Sequence, residues 1–527
     1  MKELSRYYTA RFIILTLLAV TLLFIPFHLK PDNFIVDDGY FYPQIARNIA
    51  LGYGSTFNRV MPTNGYHPLW MLCCILGAFI TKSSSHLIQV LALMQDLLIL
   101  FSVYLLIFIC AMTKKLGAIA GVAIIAFLTA TLGITRMLEA DLALTLQLIL
   151  FVATLEFSIK SRNIKPWQAF MGGALLGLTL LARLDLIFLV GIVYAYWVLN
   201  IFRSELQLKL KILNTSLISA GTCILVCPYL YWNYHYFKHI EPVSGAIKST
   251  FPHFQLLLHV PLFAYLVIIA CALNFIFFFC DRKCRFAIIG LIASLGALLH
   301  LIFSVLFGAL APWYLTTGFL CVAFCAIWIF DKFLRVSRYP MKVMVYVGAA
   351  MFTILLSLEV LRLVSNFTYT RFVDRDVSFN RSYIEPKRAL AEDLRKMLPR
   401  GTRIYAYDAP GGIAFYSGMS IIPVDGLVND YAYNRTLLTK GVSSYMADNQ
   451  INYILAPLLQ AGQTYENGFL TTTWKNNGQI FNIVAPLYHR SAGTFFVSNS
   501  DILSKFKTVN PNFEKQFPYV AIWRIHH

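Results

Sequence analysis

Long apolar stretches recur through most of this chain and limit what it can fold into. A helix needs roughly 20 apolar residues to cross about 30 Å of hydrocarbon, and it satisfies every backbone amide within its own segment. Of the 527 residues, 58% are hydrophobic and only 13% are charged, which is too apolar for an ordinary soluble globule. We therefore predict a polytopic helical membrane protein. The apolar runs cover about residues 12–29, 68–81, 87–112, 116–134, 138–159, 168–182, 184–201, 212–232, 257–280, 286–310, 313–331 and 341–364.

Basic clusters indicate how these runs thread the membrane. The positive-inside rule places such clusters in the cytoplasm. All of them share that side with the N-terminus only if residues 68–81, which are short for a span, do not cross and residues 168–201 form a tight hairpin. We expect about eleven transmembrane helices in residues 1–364, with a cytoplasmic N-terminus. The clusters lie at residues 114–115, 160–165, 203–211, 282–285 and 332–342.

The formal net charge of +18 comes largely from these basic clusters. Because Lys and Arg gather in the short runs between apolar segments, the charge is typical of topology signals, and we expect no nucleic-acid partner. The first apolar run follows three basic residues as in a signal peptide, but no small-residue cleavage site follows it, so we predict a retained helix. The ten cysteines all precede residue 326, mostly within apolar runs, and are typical of small buried hydrophobic residues.

The last part of the chain, residues 365–527, differs in composition. Asn, Thr, Ser and Tyr become more frequent, and the apolar runs shorten to strand length. We predict an α/β domain on the outer face, large enough for a core of its own. Its predicted strands cover residues 403–407, 420–424, 452–456, 479–484 and 519–525, and its predicted helices cover residues 386–398 and 433–448.

The first outer loop, about residues 30–67, is the most informative segment. It contains DDGYFYPQIARN, whose later part has helical spacing, and then RVMPTNGYHPLW, in which Pro and Asn-Gly fix turns before His67. The adjacent carboxylates of Asp37 and Asp38 have two chemical uses: one can accept a proton from a hydroxyl, or the pair can hold a divalent cation. The structural alternative is that one of them caps the following helix.

These motifs resemble bacterial glycosyltransferases of the GT-C superfamily, which includes aminoarabinose, arabinofuranosyl and protein mannosyl transferases. The resemblance rests on the acidic pair, IARN, a G-x-G and TNGYHPLW, and it covers nearly the whole chain. Further matching stretches are MLEADLAL at 137–144, LARLDLIFLV at 181–190, WNYHYFKHIEPVSGAIKS at 232–249, APWYL at 311–315 and YDAPGGIAFYSGMSIIPVDGLVN at 407–429.

The resemblance implies a sugar donor carried on polyprenyl phosphate and attacked at its anomeric carbon by an acceptor hydroxyl. The acceptor is a glycan, a glycolipid or a protein such as a pilin, and one of the two aspartates is the general base. One base and one displacement imply inversion of the anomeric carbon. No cofactor is required, although a divalent cation near the acidic pair stays open, since some members of the superfamily use one.

A leaving phosphate needs cationic groups, and three candidates fall on the predicted outer side: Lys248, His67 and Arg183. The alternatives are a lysine that snorkels to the interface, a structural histidine, and an Arg183–Asp185 salt bridge at the hairpin tip. Candidate substrate-binding residues are Tyr40, Tyr42, Asn64, Glu241, Trp313 and Tyr314. The aromatic members suit sugar stacking, although an interfacial belt uses the same residues.

Three other features have structural interpretations. Glu139 and Asp141 could pair with Arg136. For Gly411–Gly412 and the Asp425–Gly426 pair we favour turns, although the resemblance implies that the outer domain can help to bind the acceptor.

The rival function is a transporter or flippase of lipid-linked sugars, since charges at membrane depth mark substrate paths, but the related halves typical of transporters are absent from the sequence. The expected location is a bacterial inner membrane, with the C-terminal domain in the periplasm.

Overall fold

The structure is a computed structural model, and the account below concerns the residues it describes. These are residue 21 and residues 35–81, 83–115, 137–160, 164–249, 262–307, 312–334, 386–407, 410–467, 469–507 and 519–526. The predicted spans at 116–134 and 341–364, nearly all of the span at 12–29, and Arg136 lie outside them.

Apolar helices form the first part of the described chain. Six are long and apolar enough to cross a membrane: residues 84–112, 140–158, 184–203, 208–237, 263–280 and 285–306. The chain is therefore a helical integral membrane protein, as predicted. The helices are α1 (Phe41–Ala50), α2 (Pro68–Ile80), α3 (Ser84–Met112), α4 (Ala140–Lys160), α5 (Pro166–Ala182), α6 (Ile187–Arg203), α7 (Leu208–Phe237), α8 (Val243–Lys248), α9 (Leu262–Cys280), α10 (Arg285–Leu306) and α11 (Thr316–Leu334).

Two features of the expected topology have a structural counterpart. Helix α2 has 13 residues, which is too short for an ordinary span. Helices α5 and α6 are separated only by Arg183 and a three-residue 3-10 turn, Leu184–Leu186, as the predicted tight hairpin requires.

The C-terminal part folds into two sheets with three described helices, as predicted for an α/β domain. The helices are α12 (Pro386–Met397), α13 (Pro410–Ser417) and α14 (Tyr431–Asp448). The strands are β1 (Arg403–Ala406), β2 (Ser420–Pro423), β3 (Tyr453–Pro457), β4 (Thr464–Asn467), β5 (Leu470–Lys475), β6 (Gly478–Ala485), β7 (Arg490–Ser498), β8 (Ile502–Lys507) and β9 (Tyr519–Arg524).

The first sheet has the order β2-β1-β3-β9-β8, and its strands β1, β2 and β3 are parallel. The second is an antiparallel sheet with the order β4-β5-β6-β7. All five predicted strands and both predicted helices are present, with bounds that differ by a residue or two. Helix α13 and strands β4, β5, β7 and β8 were not predicted.

The parallel strands determine which part of this domain faces the first loop. Strand β1 is followed by α13 and then β2, which is a parallel βαβ unit with a helical crossover. Since β1 and β2 run in the same direction, their carboxyl ends lie at one edge of the sheet. The first turn of α13 and Asp425 both follow directly from that edge.

One hydrophobic core joins the first loop to this domain. It contains Tyr40, Phe57 and Trp70 from the first loop and α2, and Phe415 and Leu455 from the C-terminal domain. All five side chains are buried. Burying an aromatic or aliphatic side chain of this size contributes roughly 1.5–3 kcal/mol, so the loop and the domain stabilise each other.

Candidate active site

The first loop is held in one conformation by buried amide side chains. The Asn48 side-chain amide donates to the carbonyls of Thr56 and Phe57 at 2.8 and 2.9 Å, and Gln44 also donates to the Phe57 carbonyl at 3.1 Å. Asn48 and Gln44 are 0% and 1% exposed. The loop therefore folds back on α1 and fixes the 3-10 turn Asp37–Tyr40 that carries the acidic pair.

The two aspartates have different surroundings. Asp37 accepts hydrogen bonds from the backbone amides of Gly411 and Gly412, at 2.8 Å to Oδ2 and 2.9 Å to Oδ1. These amides belong to the first turn of α13, where backbone N–H groups lack intrahelical partners and the helix dipole favours a negative charge. Asp37 is therefore a cap, but it caps a helix of the C-terminal domain rather than the helix that follows it in sequence.

Asp38, Lys248 and Asp425 lie close enough for their charges to interact. Burial alone would lower the pKa of Lys248, but Tyr314 and then the negative charge of Asp38 raise it above the usual value, and Asp425 adds to this effect. The Lys248 ammonium donates to the Tyr314 hydroxyl at 3.0 Å. Lys248 is therefore a charged ammonium at neutral pH, near enough to Asp38 to be stabilised by the charge of the carboxylate that does not cap α13.

Asp425 brings a second carboxyl group from the C-terminal domain. Burial raises its pKa to about 7, with a further contribution from the charge of Asp38, while the Leu427 amide and Lys248 oppose the shift. The Leu427 amide donates to Asp425 Oδ1 at 3.0 Å. Asp425 also begins a turn, as predicted, since Gly426 has a φ of +68°. From the sequence a turn is the favoured interpretation of Asp425, so its proximity to Asp38 and Lys248 was not predicted.

Lys248 ends the short helix α8, and Asn64 holds the segment that leads into it. The Asn64 carbonyl oxygen accepts from the Val243 amide at 3.1 Å, and its amide group donates to the Glu241 carbonyl at 3.3 Å. Asn64 is 0% exposed, whereas Glu241 is exposed and uses its backbone carbonyl in these contacts. The structure gives both residues a positioning role; direct contact with a substrate stays a prediction for each of them.

Arg183 lies in a buried network of charges. Its guanidinium pairs with Glu139 and donates through Nε to Asp185 at 3.1 Å, and His300 lies 3.3 Å from the same aspartate. Burial would lower the pKa of Arg183, but the charges of Asp185 and Glu139 raise it. The predicted Arg183–Asp185 salt bridge is present. With two carboxylates already around it, Arg183 is less suited to a phosphate than Lys248; its contact with phosphate stays a prediction.

His67 and Tyr42 join this network to the first loop. The Tyr42 hydroxyl donates to Glu139 Oε2 at 2.8 Å and accepts from the His67 backbone amide at 3.1 Å. Burial lowers the pKa of His67, although Glu139, with Oε1 3.7 Å from His67 Nε2, opposes that shift. Burial would raise the pKa of Glu139, but the charges of Arg183 and His67 lower it. Glu139 is therefore a buried carboxylate paired with Arg183, a residue 44 positions later in the sequence.

Among the aromatic residues predicted to bind substrate, Tyr314 contacts both Arg183 and Lys248. The Arg183 guanidinium lies over its ring, 5.0 Å from the centroid, and Lys248 binds its hydroxyl. Trp313 packs edge-on against Tyr314. Tyr40 is 1% exposed and packs against the Phe415 and Tyr416 rings of α13. Tyr314 thus connects the Arg183 network to Lys248, and Tyr40 belongs to the shared core.

A divalent cation at the acidic pair has limited support from the geometry. Both carboxylate oxygens of Asp37 accept backbone N–H groups, so the pair does not present two equivalent ligands. Within the described residues, no group of three or more His, Cys, Asp or Glu side chains could hold a metal ion. The cation stays open, as it was in the sequence analysis.

Known proteins were compared with the chain by sequence and by structure. No family model and no curated protein matches it. Solved structures that are similar to it include ArnT from Cupriavidus metallidurans bound to undecaprenyl phosphate, and the apo state of the same protein. The first has 12% identity and a TM-score of 0.48 over 85% of this chain and 96% of that one. The second has 13% identity and a TM-score of 0.45 over 86% and 96%. At these values the matches carry no argument of their own, and the function below rests on the side chains of this chain.

Proposed function

We propose that this protein is a membrane glycosyltransferase of the GT-C type that uses a sugar donor linked to polyprenyl phosphate. Its two parts are the membrane module of residues 1–364 and the periplasmic domain of residues 365–527. The observation that supports this most directly is the grouping of Asp38 with Lys248. A carboxylate and a charged ammonium at the end of a membrane bundle supply the two functions that displacement of a lipid phosphate needs.

Asp38 acts as the general base. It takes the proton of the acceptor hydroxyl as the hydroxyl oxygen attacks the anomeric carbon, because an alcohol is a poor nucleophile at neutral pH. The bond between the anomeric carbon and the phosphate oxygen breaks, and its electron pair leaves with the polyprenyl phosphate. Because a single displacement occurs, the anomeric configuration inverts.

Lys248 stabilises the leaving group. The phosphodiester of the donor carries one negative charge, whereas the released phosphate monoester carries close to two, so negative charge grows during the reaction. A fixed cation placed where charge develops stabilises the transition state more than the ground state. Tyr314 holds the Lys248 ammonium in place through its hydroxyl.

Asp37 has the positioning role. Its two hydrogen bonds to α13 tie the acidic pair to the C-terminal domain, and they bring Asp425 to the same site. Asp425 is placed to bind a hydroxyl of the donor or of the acceptor. The acceptor is a glycan, a glycolipid or a protein on the periplasmic face of a bacterial inner membrane.

The test is transfer of a radiolabelled sugar from a synthetic polyprenyl phosphate donor by the purified chain in proteoliposomes. Asp38→Asn should lower kcat by about 10²-fold or more, as expected for loss of a general base. Asp393→Asn, on α12 and with a half-exposed side chain, is the matched control. For the phosphate, Lys248→Met is compared with Lys238→Met, an exposed lysine on a loop near the same end of the bundle.

Two results would overturn this proposal. One is full sugar transfer by Asp38→Asn. The other is translocation of the lipid-linked sugar across the vesicle membrane without any transfer by the wild type, which would establish the flippase function instead.

A further inference from the structure

A polar pocket that shares no lining residue with Asp37, Asp38, Lys248 or Asp425 lies between the membrane helices and the C-terminal domain. Its volume is about 300 Å³, and it is lined by Ser83, Ser84, Ser85, Arg388, Glu392, Arg395 and Tyr416. The serines form the start of α3, Arg388 and Arg395 lie on α12, and Tyr416 lies on α13. The pocket thus joins three elements that are distant in sequence.

Positive charge is concentrated around this pocket. Arg47 adjoins it and donates through Nη1 to the Ser84 hydroxyl at 2.5 Å and to the Phe415 carbonyl at 3.0 Å. Burial lowers the pKa of Arg47, and the nearby positive charges of Arg59 and Arg395 lower it further. Within the described residues, neither Arg47 nor Arg395 forms a salt bridge with a carboxylate. Glu392 on the rim offsets only part of this charge.

The serines add hydrogen-bond donors that suit an anion. Ser83 is the N-cap of α3, and its side chain makes no capping hydrogen bond, so it leaves first-turn amides of a 29-residue helix without a side-chain partner. Three consecutive hydroxyl groups stand beside these amides. Arginine guanidinium groups, hydroxyls and helix amides together are the donors that bind phosphate oxygens in proteins.

The surface below the pocket favours a lipid as the molecule that would bring a phosphate group to it. A stripe of exposed apolar residues follows one side of α3: Leu93, Leu97, Phe101, Tyr104 and Phe108. Its first member lies about 15 Å along the helix from Ser83 at 1.5 Å per residue. The neighbouring short helix α2 also exposes Phe79 and Ile80 near its end. In the orientation proposed above, the pocket lies at the outer membrane surface, and acyl chains have an apolar path beneath it.

We propose that this pocket binds the phosphate headgroup of an anionic membrane lipid and thereby fastens the C-terminal domain to the membrane module. Arg395 and Arg388 contact the phosphate from the side of α12, and the serines contact it from the start of α3. Arg47 sets the position of Ser84 and adds to the positive potential. The site is separate from Asp38 and Lys248, so it does not depend on the proposed transferase activity.

The experiment measures lipid binding to the delipidated full chain in detergent by native mass spectrometry and thermal shift. The probes are short-chain phosphatidylglycerol, short-chain phosphatidylcholine and inorganic phosphate. We expect phosphatidylglycerol to bind and to raise the melting temperature, with an affinity that falls as salt concentration rises, because salt screens charge pairs at an open site.

The matched variants are Arg395→Gln, in the pocket, and Arg400→Gln, an exposed arginine just beyond the same helix. Arg395→Gln should weaken phosphatidylglycerol binding about tenfold, which corresponds to about 1.4 kcal/mol, and Arg400→Gln should leave it unchanged. Since Arg395 is exposed, its replacement should not prevent folding. Ser85→Glu, which places a negative charge at the pocket mouth, should weaken binding independently.

Three outcomes would overturn the proposal. Equal loss of affinity in Arg395→Gln and Arg400→Gln would mean that binding is non-specific. Equal binding of phosphatidylcholine and phosphatidylglycerol would remove the preference for an anionic lipid. Binding of inorganic phosphate as tightly as phosphatidylglycerol would refute the lipid as the ligand, whereas displacement of the lipid by millimolar phosphate would support the shared phosphate chemistry.

Discussion

Asp37→Asn separates the two roles that we assign to the acidic pair. In the wild type, both carboxylate oxygens of Asp37 accept backbone amides of α13, from Gly411 and Gly412. Asparagine retains one carbonyl oxygen, which can accept one of these amides. Its NH₂ group then faces the other amide, donor against donor, and the negative charge at the helix N-terminus is lost.

The magnitude follows from these contacts. Loss of one charge-assisted hydrogen bond costs about 1.5–3 kcal/mol, and loss of the charge near the helix N-terminus costs about 0.3–1 kcal/mol more. We therefore expect the free energy of unfolding of the C-terminal domain to fall by about 2–4 kcal/mol. For a domain of this size, each kcal/mol lowers the melting temperature by about 2–4 °C, so the expected decrease is about 5–15 °C.

The assay is thermal unfolding in detergent, measured beside sugar transfer in proteoliposomes. Asp38→Asn is the paired variant: it should lower kcat by about 10²-fold or more and leave the melting temperature close to that of the wild type. Gly411→Ala attacks the same contact from the other side, because a Cβ there would overlap the Asp37 carbonyl oxygen. Its effect on stability should be less than additive with Asp37→Asn, since the two changes disrupt one contact.

One result would refute the reasoning. If Asp37→Asn unfolded at the wild-type temperature and lost transfer as completely as Asp38→Asn, Asp37 would act in the chemistry and the division of roles would be wrong. A stability loss with residual transfer, restored at low temperature, would support the positioning role.

The other predictions concern residues around the same site. Glu139→Gln leaves Arg183 with one carboxylate partner instead of two, and breaking this buried pair should lower the free energy of unfolding by about 3–5 kcal/mol, measured by thermal or denaturant unfolding. Gly65→Ala should destabilise the docking of the C-terminal domain on the first loop by about 1–3 kcal/mol, because a Cβ at residue 65 would overlap the Leu427 carbonyl. Gly245→Ala is the control, since a Cβ at residue 245 would enter open space. The folded-state pKa of Asp425 is raised to about 7 from an ordinary value near 3.8, so its ionisation destabilises the fold increasingly from about pH 4 to pH 7. Asp425→Asn should therefore gain stability relative to the wild type across that window, by at most about 4 kcal/mol and by less than that because the carboxyl is partly exposed; a pH-independent difference would contradict the shift.

The sequence alone could predict the membrane class, the short α2, the tight α5–α6 hairpin and the five apolar strands β1, β2, β3, β6 and β9. Each of these depends on a local pattern of apolar residues. Two of the four strands that escaped prediction are rich in polar or small residues: β5 reads LTTTWK, and β7 reads RSAGTFFVS. Their burial pattern is set by pairing with β6 in the antiparallel sheet, and pairing across strands leaves a weak signature in any one segment.

Helix α13 escaped prediction for a different reason. Pro410, Gly411 and Gly412 favour a turn, since glycine costs about 1 kcal/mol per residue in a helix interior. In the structure they form the first turn, where proline is tolerated and backbone amides need outside acceptors. The acceptor is Asp37, more than 370 positions away in the sequence. A contact of that range has no local signal, and the same is true of the pairing of Glu139 with Arg183.

The contact between Asp37 and α13 has a consequence for substrate binding in the proposed reaction. Asp425 reaches Asp38 and Lys248 only while the C-terminal domain is docked, because it follows the strand edge that α13 also follows. Undocking therefore removes one carboxyl group from the site and leaves Asp38 with Lys248 in the first loop and α8. In the proposed function Lys248, which lies outside the C-terminal domain, holds the donor phosphate. We therefore expect variants that loosen docking, such as Asp37→Asn and Gly65→Ala, to raise the KM for the acceptor more than the KM for the donor.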